Sequence, residues 1–199
     1  MTAATPPATV TVTVDGTEVS VPPGTLAVEA ARVAGVDVPV FCYHPKLSLA
    51  GACRMCMCEI GMASPPGQPP RPPGLMTACT TRVSNGMTIN TMAPGALKAR
   101  EGVIEFLLIN HPLDCPVCDA GGECPLQDNS HAWGPKESRF TEQKRLARKG
   151  AALSPLVVLD QERCITCYRC TRFMDEIPGE AELAFFTRGY TSQLRTINE

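Results

Sequence analysis

Residues 10–14, VTVTV, alternate apolar and polar side chains with the period of two that turns one strand face to a core and the other to water. Asp15-Gly16 follows, a pair suited to a two-residue hairpin turn, and EVSV at 18–21 resumes the alternation. Pro22, Pro23 and Gly24 stop the second strand. Thr25 then stands where a helix cap belongs, Leu26, Ala30 and Val33 share one helical face, and Gly35 falls at C′. This predicts a helix ending near Ala34. Residues 38–42 and 56–60 read as short strands flanking a long loop, with another at 88–90. The sum is a small, helix-crossed β sheet of about 90 residues.

Residues 65–74, PPGQPPRPPG, hold six prolines and two glycines, which neither pair inside a sheet nor continue a helix. They read as a semi-rigid surface excursion, in preference to a proline-rich ligand for another protein. From 94 to 110 the pattern returns to a helix, with Leu97, Ile104, Leu107 and Leu108 in its apolar stripe and His111-Pro112 ending it. Residues 111–134 carry many turn formers and few apolar positions, so their order must come from something other than a hydrophobic core. Farther on, LVVLD at 156–160 is a strand candidate.

Composition adds that loops are abundant: 19 Pro and 16 Gly among 199 residues, against 5% aromatics. Eighteen basic and 20 acidic residues leave a net charge of −2, which argues against a nucleic-acid footprint. Lys144, Arg145, Arg148 and Lys149 then read as a solvated or subunit-facing patch. The apolar runs FLLI at 106–109 and LVVL at 156–159 fall far short of the roughly 20 residues of a membrane span. The start, MTAATPPATV, has neither the basic and apolar pattern of a secretory signal nor the arginines of a transit peptide, so a reducing compartment is expected.

Eleven cysteines change the picture most. An odd number in a reducing compartment suits disulfides poorly, and the two-residue gaps at 53/56, 115/118, 164/167 and 167/170 suit thiolates converging on a metal. Cys42, Cys53, Cys56 and Cys79 make a first set of four. Glycine in 50-AGACRMC-56 lets the backbone wrap closely and aim N–H groups at bridging sulfides, as a [2Fe-2S] loop requires. The order of one cysteine, a close pair and a distant fourth is similar to the plant-type pattern, although the first gap is longer. Structural zinc is the alternative. Cys58 reads as a buried thiol outside the ligand loop, and His44 as a surface or packing residue.

The second set lies in 111-HPLDCPVCDAGGEC-124: His111, Cys115, Cys118 and Cys124. Gly121 and Gly122 relax the chain while Pro116 and Pro125 restrict it beside two donors, which suits a short peptide folded around a [4Fe-4S] cubane. Exchanging one thiolate for a neutral imidazole removes a negative charge and raises the reduction potential, other surroundings being equal. Cys3His zinc stays open here, and His131 reads as ordinary. Cys164, Cys167 and Cys170 have the spacing of cubane-binding ferredoxins, but Met174 occupies the position of the expected fourth cysteine. A ligand beyond residue 199 is the favoured explanation; a ligand borrowed from elsewhere or a three-cysteine site are the others.

With these motifs in place, the chain resembles the N-terminal iron–sulfur region of the large iron–sulfur subunit of bacterial NADH:quinone oxidoreductase, complex I. The resemblance is loose at 38-VPVFCYHPKLSLAGACRMC-56, very close at 106-FLLINHPLDCPVCDAGGECPLQD-128, and present at 154-SPLVVLDQERCITCYRC-170 and 177-IPGEAEL-183. It implies an α+β chain with a ferredoxin-like β-grasp [2Fe-2S] domain at 1–93, a helical His/Cys3 [4Fe-4S] domain at 94–135, and a ferredoxin-type [4Fe-4S] segment at 136–199, truncated before its fourth ligand. It implies one [2Fe-2S] cluster on Cys42, Cys53, Cys56 and Cys79, one [4Fe-4S] on His111, Cys115, Cys118 and Cys124, and a further [4Fe-4S] on Cys164, Cys167 and Cys170 once a fourth ligand is supplied.

The implied function is transfer of single electrons from FMN in a partner toward quinone, within a proton-translocating complex and with no complete active site in this chain. The implied partners are the NADH/FMN-binding flavoprotein subunit and other peripheral-arm subunits of complex I, on the cytoplasmic side of the bacterial inner membrane. No nucleic acid and no direct membrane span are implied. The diaphorase portion of an NAD-reducing hydrogenase or formate dehydrogenase is the first rival, since it shares the first two motifs. A zinc-stabilised module touching nucleic acid through 144–149 is the second.

Overall fold

The computed structural model describes residues 9–62, 68 and 71–197. Half of the proline-rich excursion, 65–67 and 69–70, therefore lies outside the described residues. Two compact units are present, Met1–Val40 with Cys53–Gly102, and Phe41–Ala52 with Val103–Glu199.

In the first unit, β1 (Val10–Val14) and β2 (Thr17–Val21) form the expected hairpin, with Val12 opposite Val19. Asp15 and Gly16 take φ values of 46° and 86°, the left-handed pair a tight hairpin turn needs. Asp15 also accepts hydrogen bonds from the Thr91 N–H at 2.7 Å and the Thr91 hydroxyl at 2.5 Å. This fixes the turn to the end of β5 (Met87–Asn90). A five-stranded sheet runs β2-β1-β5-β3-β4, where β3 is Met57–Gly61 and β4 is Gly74–Thr77. β1 and β5 are parallel, and the other neighbouring pairs are antiparallel. Val12, Val14, Ile60, Met87 and Ile89 are buried on this sheet.

Helix α1 (Ala27–Val33) packs against β1 and β2 through Ala27, Val28, Ala30 and Ala31. Its start and face differ from the expectation. The Thr25 hydroxyl donates to the Pro22 carbonyl at 2.7 Å, closing the preceding turn, so Leu26 occupies the N-cap without a side-chain bond. Val33 points to water at 63% exposure, because the small alanine face lies closest to the sheet. Gly35 has φ of +78° and bonds back to Arg32, as a C′ residue should. Residues 38–42 are not a strand: Val38, Phe41 and Cys42 are buried in irregular backbone without ladder partners. β4 went unforeseen because four residues beside a proline run give no alternation long enough to read.

Helix α2 (Pro94–Leu108) spans the division between the units. Its buried positions are Ala96, Arg100 and Ile104, spaced by four, in place of a purely aliphatic stripe. The second unit continues with a 3₁₀ turn at Cys115–Val117, α3 (Pro125–Trp133), the short pair β6 (Ala151–Ala152) and β7 (Val158–Leu159), α4 (Arg169–Glu176), and the hairpin β8 (Leu183–Phe186) and β9 (Gln193–Thr196). The expected strand at 156–160 contracts to β7, and Leu156 is 94% exposed.

Few aliphatic side chains of this unit are buried: Ile104, Leu126, Ala151 and Leu194. Polar ties take their place, and three of the four basic residues at 144–149 make them although Arg145, Arg148 and Lys149 remain exposed, as a solvated or subunit-facing patch would be. Lys144 Nζ donates to the terminal α2 carbonyls of Leu108 and Ile109 at 2.7 and 3.0 Å. Arg145 stacks over Tyr190 with 5.4 Å to the ring centroid. Lys149 pairs with Asp114 at 2.5 Å and Glu162 at 3.0 Å. Among the described residues, no helix is long and apolar enough to cross a membrane.

Candidate metal centre

All eleven cysteines are thiols outside any disulfide. The second predicted set assembles most plainly. His111, Cys115, Cys118 and Cys124 line one cavity of about 200 Å³, with Asp114, Gly121 and Arg163 also in its wall. Local chain chemistry builds it. His111 follows α2, Cys115 opens the 3₁₀ turn with Pro116 behind it, and Cys124 is the N-cap of α3 with Pro125 in the first helical position. The Gly121 N–H donates to the Cys118 carbonyl at 2.9 Å, and the Gly122 N–H to Gln127 Oε1 at 3.0 Å. A Cβ on Gly121 would stand 2.8 Å from the Cys115 carbonyl oxygen and 3.1 Å from that of Cys118, so only glycine lets the loop close this tightly.

Burial, followed by the nearby Lys144 ammonium, lowers the His111 pKa, favouring the neutral imidazole that a metal accepts. A single zinc ion draws its thiolates to about 2.3 Å from one point. His111, Cys115, Cys118 and Cys124 line one void, and three thiols with one imidazole are a donor set that fits an iron–sulfur cubane as well as Cys3His zinc.

Of the first set, Cys53, Cys56 and Cys79 belong to the first unit. Cys56 immediately precedes β3 and Cys79 follows β4; the Met57–Thr77 register and the Ala78 N–H bond to the Cys56 carbonyl at 3.1 Å hold these two stretches together. Arg54, inside the Cys53–Cys56 gap, has φ of +63°. Cys42 is fully buried within Phe41–Ala52, the loop grouped with the second unit. Helix α4 clasps that loop: Arg169 donates to the Tyr43 carbonyl at 2.5 Å, Arg172 to the carbonyls of Cys42 and Ser48, and Ser48 to Glu176. The Ser48 hydroxyl and N–H, with the nearby Arg172 charge, hold the Glu176 carboxyl below its usual pKa.

In the third set, Thr166 and Tyr168 have φ of +52° and +62°, one in each two-residue gap between Cys164, Cys167 and Cys170. Left-handed residues alternating with ordinary ones make the concave run of N–H groups that receives anions. Burial pushes the Cys164 and Cys170 thiols up in pKa, against partial relief from the backbone N–H groups of Thr166 and Thr171 respectively. Each such non-glycine residue carries strain of about 1–3 kcal/mol.

Three family models cover most of the sequence: a 2Fe-2S iron-sulfur cluster binding domain at 7–94, the NADH-ubiquinone oxidoreductase-G iron-sulfur binding region at 100–139, and the NADH-quinone oxidoreductase subunit 3 ferredoxin-like domain at 154–199. The G subunit of NADH-quinone oxidoreductase from Streptomyces coelicolor is 48% identical over 198 residues, 98% of this chain and 22% of that protein. The chain belongs to this iron–sulfur family of NADH-quinone oxidoreductase. The mitochondrial NADH dehydrogenase (ubiquinone) iron-sulfur protein 1 of Solanum tuberosum is 47% identical over 94% of this chain and 24% of its own length. The chain thus spans about a quarter of the length of these curated relatives. A crystal structure of NAD+-reducing [NiFe]-hydrogenase in the H2-reduced state superposes with a TM-score of 0.81 at 28% identity, covering 96% of this chain and 76% of that one.

Within this NADH-quinone oxidoreductase region, sequence reasoning missed several residues at the candidate centres. Arg100 is 1% exposed on α2; its Nη2 donates to the Met57 carbonyl at 3.2 Å and lies 3.8 Å from the Cys58 sulfur. Its spacing of four from both Ala96 and Ile104 was the available signal. Burial pushes the Cys58 thiol up to about 11, against the partial relief of Arg100. Arg163 and Asp114 entered the cavity wall without a motif to announce them, and His131, expected to be ordinary, lines the same cavity. His44 is half-buried, its Nδ1 accepting from the Lys46 N–H at 3.2 Å.

Proposed function

We propose that this chain relays single electrons through iron–sulfur clusters from FMN in a partner flavoprotein toward quinone, as part of a proton-translocating NADH:quinone oxidoreductase. The observation that carries this reading is the cavity walled by His111, Cys115, Cys118 and Cys124, closed over Gly121. In this reading Cys42, Cys53, Cys56 and Cys79 hold one [2Fe-2S] cluster. His111, Cys115, Cys118 and Cys124 hold a [4Fe-4S] cluster, and Cys164, Cys167 and Cys170 hold a further one when a fourth ligand is supplied. The organisation follows as three regions, 1–93, 94–135 and 136–199. Such clusters supply one-electron exchange with little change in geometry.

The chain's own residues bind and orient. Deprotonated cysteines furnish the thiolates, neutral His111 supplies the one nitrogen, and backbone N–H groups near Thr166 and Thr171 stabilise negative sulfur. The partners are the NADH/FMN-binding subunit and other peripheral-arm subunits, and the place is the cytoplasmic side of a bacterial inner membrane. The NADH-quinone oxidoreductase relatives at 47–48% identity support this assembly. The structural likeness to the NAD+-reducing hydrogenase supports a second reading, the diaphorase part of such an enzyme. Identifying the flavoprotein and catalytic subunits that co-purify separates the two.

Counting iron and acid-labile sulfide on the purified protein, with paramagnetic resonance of the reduced form, tests the proposal. The expected result is iron and sulfide in cluster ratio with signals of both cluster types. Colourless protein carrying stoichiometric zinc overturns it.

A further inference from the structure

Arg163 faces the wall of the second centre from a different segment of chain. Arg163, like Asp114, is among the residues that line the cavity of His111, Cys115, Cys118 and Cys124. Two of its nitrogens, Nη2 and Nε, reach Asp114 Oδ2 at 3.1 and 3.3 Å, and Nε lies 3.4 Å from Asp160. The same Asp114 Oδ2 also takes Lys149 Nζ at 2.5 Å, which in turn pairs with Glu162 at 3.0 Å. The Arg163 and Asp114 side chains are 26% and 23% exposed, so solvent screens them only partly. Arg163 also immediately precedes Cys164, so its place is fixed by the neighbouring cysteine loop.

We propose that the Arg163–Asp114 pair sets the reduction potential of the His111, Cys115, Cys118 and Cys124 centre by placing opposite charges in its wall, outside the ligand shell. This rests on the cluster assignment above. Reduction adds one negative charge inside the cavity. A cation in the wall favours that charge and an anion opposes it, each more strongly than in open water. Removing Arg163 therefore lowers the potential, and removing the Asp114 charge raises it. Asp160, Glu162 and Lys149 belong to the same network but do not line the cavity, so their effects are smaller.

Redox titration of the assembled complex, following the paramagnetic signal of this cluster, tests the idea in R163Q, R163K, D114N and K149Q. At the unsubstituted midpoint, R163Q is expected to shift the oxidised-to-reduced ratio about three- to tenfold toward the oxidised form, tenfold being about 59 mV for one electron. D114N shifts it the opposite way, R163K stays near the parent because the charge remains, and K149Q moves it less than R163Q. A merely structural pair would shift R163Q and D114N in the same direction and leave R163K no better than R163Q. That pattern, or an unchanged midpoint in both neutral variants, overturns the proposal while the cluster assignment stands. Absence of the signal from the unsubstituted complex removes the assignment and this proposal together.

Discussion

The two units solve the problem of holding cysteines still by different physical means. In the first, Cys56 and Cys79 border paired strands whose neighbours Val12, Val14, Ile60, Met87 and Ile89 are almost wholly buried. Apolar burial of that kind contributes about 25 cal/mol per Å² and depends little on charge or on anything bound. In the second, the stretch from His111 to Trp133 buries only Leu126, and the surrounding order comes from capped helix ends, ion pairs and left-handed loops. A scaffold of the first kind exists before its cofactor arrives. A scaffold of the second kind is incomplete without it, in the sense that binding energy becomes folding energy.

Ligand loss separates the two regions most sharply. Cys115→Ser is expected to abolish the [4Fe-4S] signal of the second centre and to lower hydrogen-exchange protection across residues 111–134 by at least about tenfold. The [2Fe-2S] signal and the protection of β1, β3 and β5 should remain, since the buried residues of those strands, Val12, Val14, Ile60, Met87 and Ile89, belong to the other unit. Equal loss of protection in the sheet would show that the units are not energetically distinct.

Acid gives the next largest contrast. Asp114, Glu162, Glu105 and Glu176 all lie in the second unit, and each has its pKa lowered in the folded state. The leading causes are the bonds from Lys149 to Asp114, from the Ala147 N–H to Glu162, from Arg139 to Glu105 and from Ser48 to Glu176. A depressed carboxylate contributes stability that is complete above its unfolded pKa, about 4, and disappears as pH falls through its folded value. Lowering the pH from neutrality toward 3 should thus loosen the second unit before the sheet, read residue by residue from exchange or from proteolytic cleavage sites. Simultaneous loosening of both would remove the distinction drawn from these ion pairs.

The same contrast explains what the sequence made legible. Period-two alternation and Asp15-Gly16 sufficed for the hairpin, because a core-facing strand must display its burial pattern. Cysteine spacing sufficed to gather the His111 to Cys124 donors, because ligands close in sequence converge through local turns. Helices α3 and α4 and the β8–β9 hairpin were not legible: they are short and bury little, with Leu126 and Leu194 their buried side chains among the described residues. Lys144 at the α2 terminus and Arg163 beside Asp114 depend on contacts 36 and 49 residues apart, which no local pattern encodes. The buried Arg100 lay between these cases, its position readable from helical spacing but its partner, the β3 backbone, visible only in the fold.

Cys58 offers the finest test, because it sits on the stable side of the comparison yet two residues from a candidate ligand. Strand parity turns it to the same face as Cys56, its side chain is fully buried, and Arg100 Nη2 lies against its sulfur. A thiol so placed packs as a small apolar group. Cys58→Ala removes one buried atom and leaves the Arg100 bond to the Met57 carbonyl in place, so a loss of roughly 1 kcal/mol is expected in denaturant unfolding. The visible absorption of the [2Fe-2S] centre should be unchanged. Bleaching of that absorption in Cys58→Ala, with the sheet still folded, would make Cys58 a ligand and displace one of Cys42, Cys53, Cys56 or Cys79 from the first set.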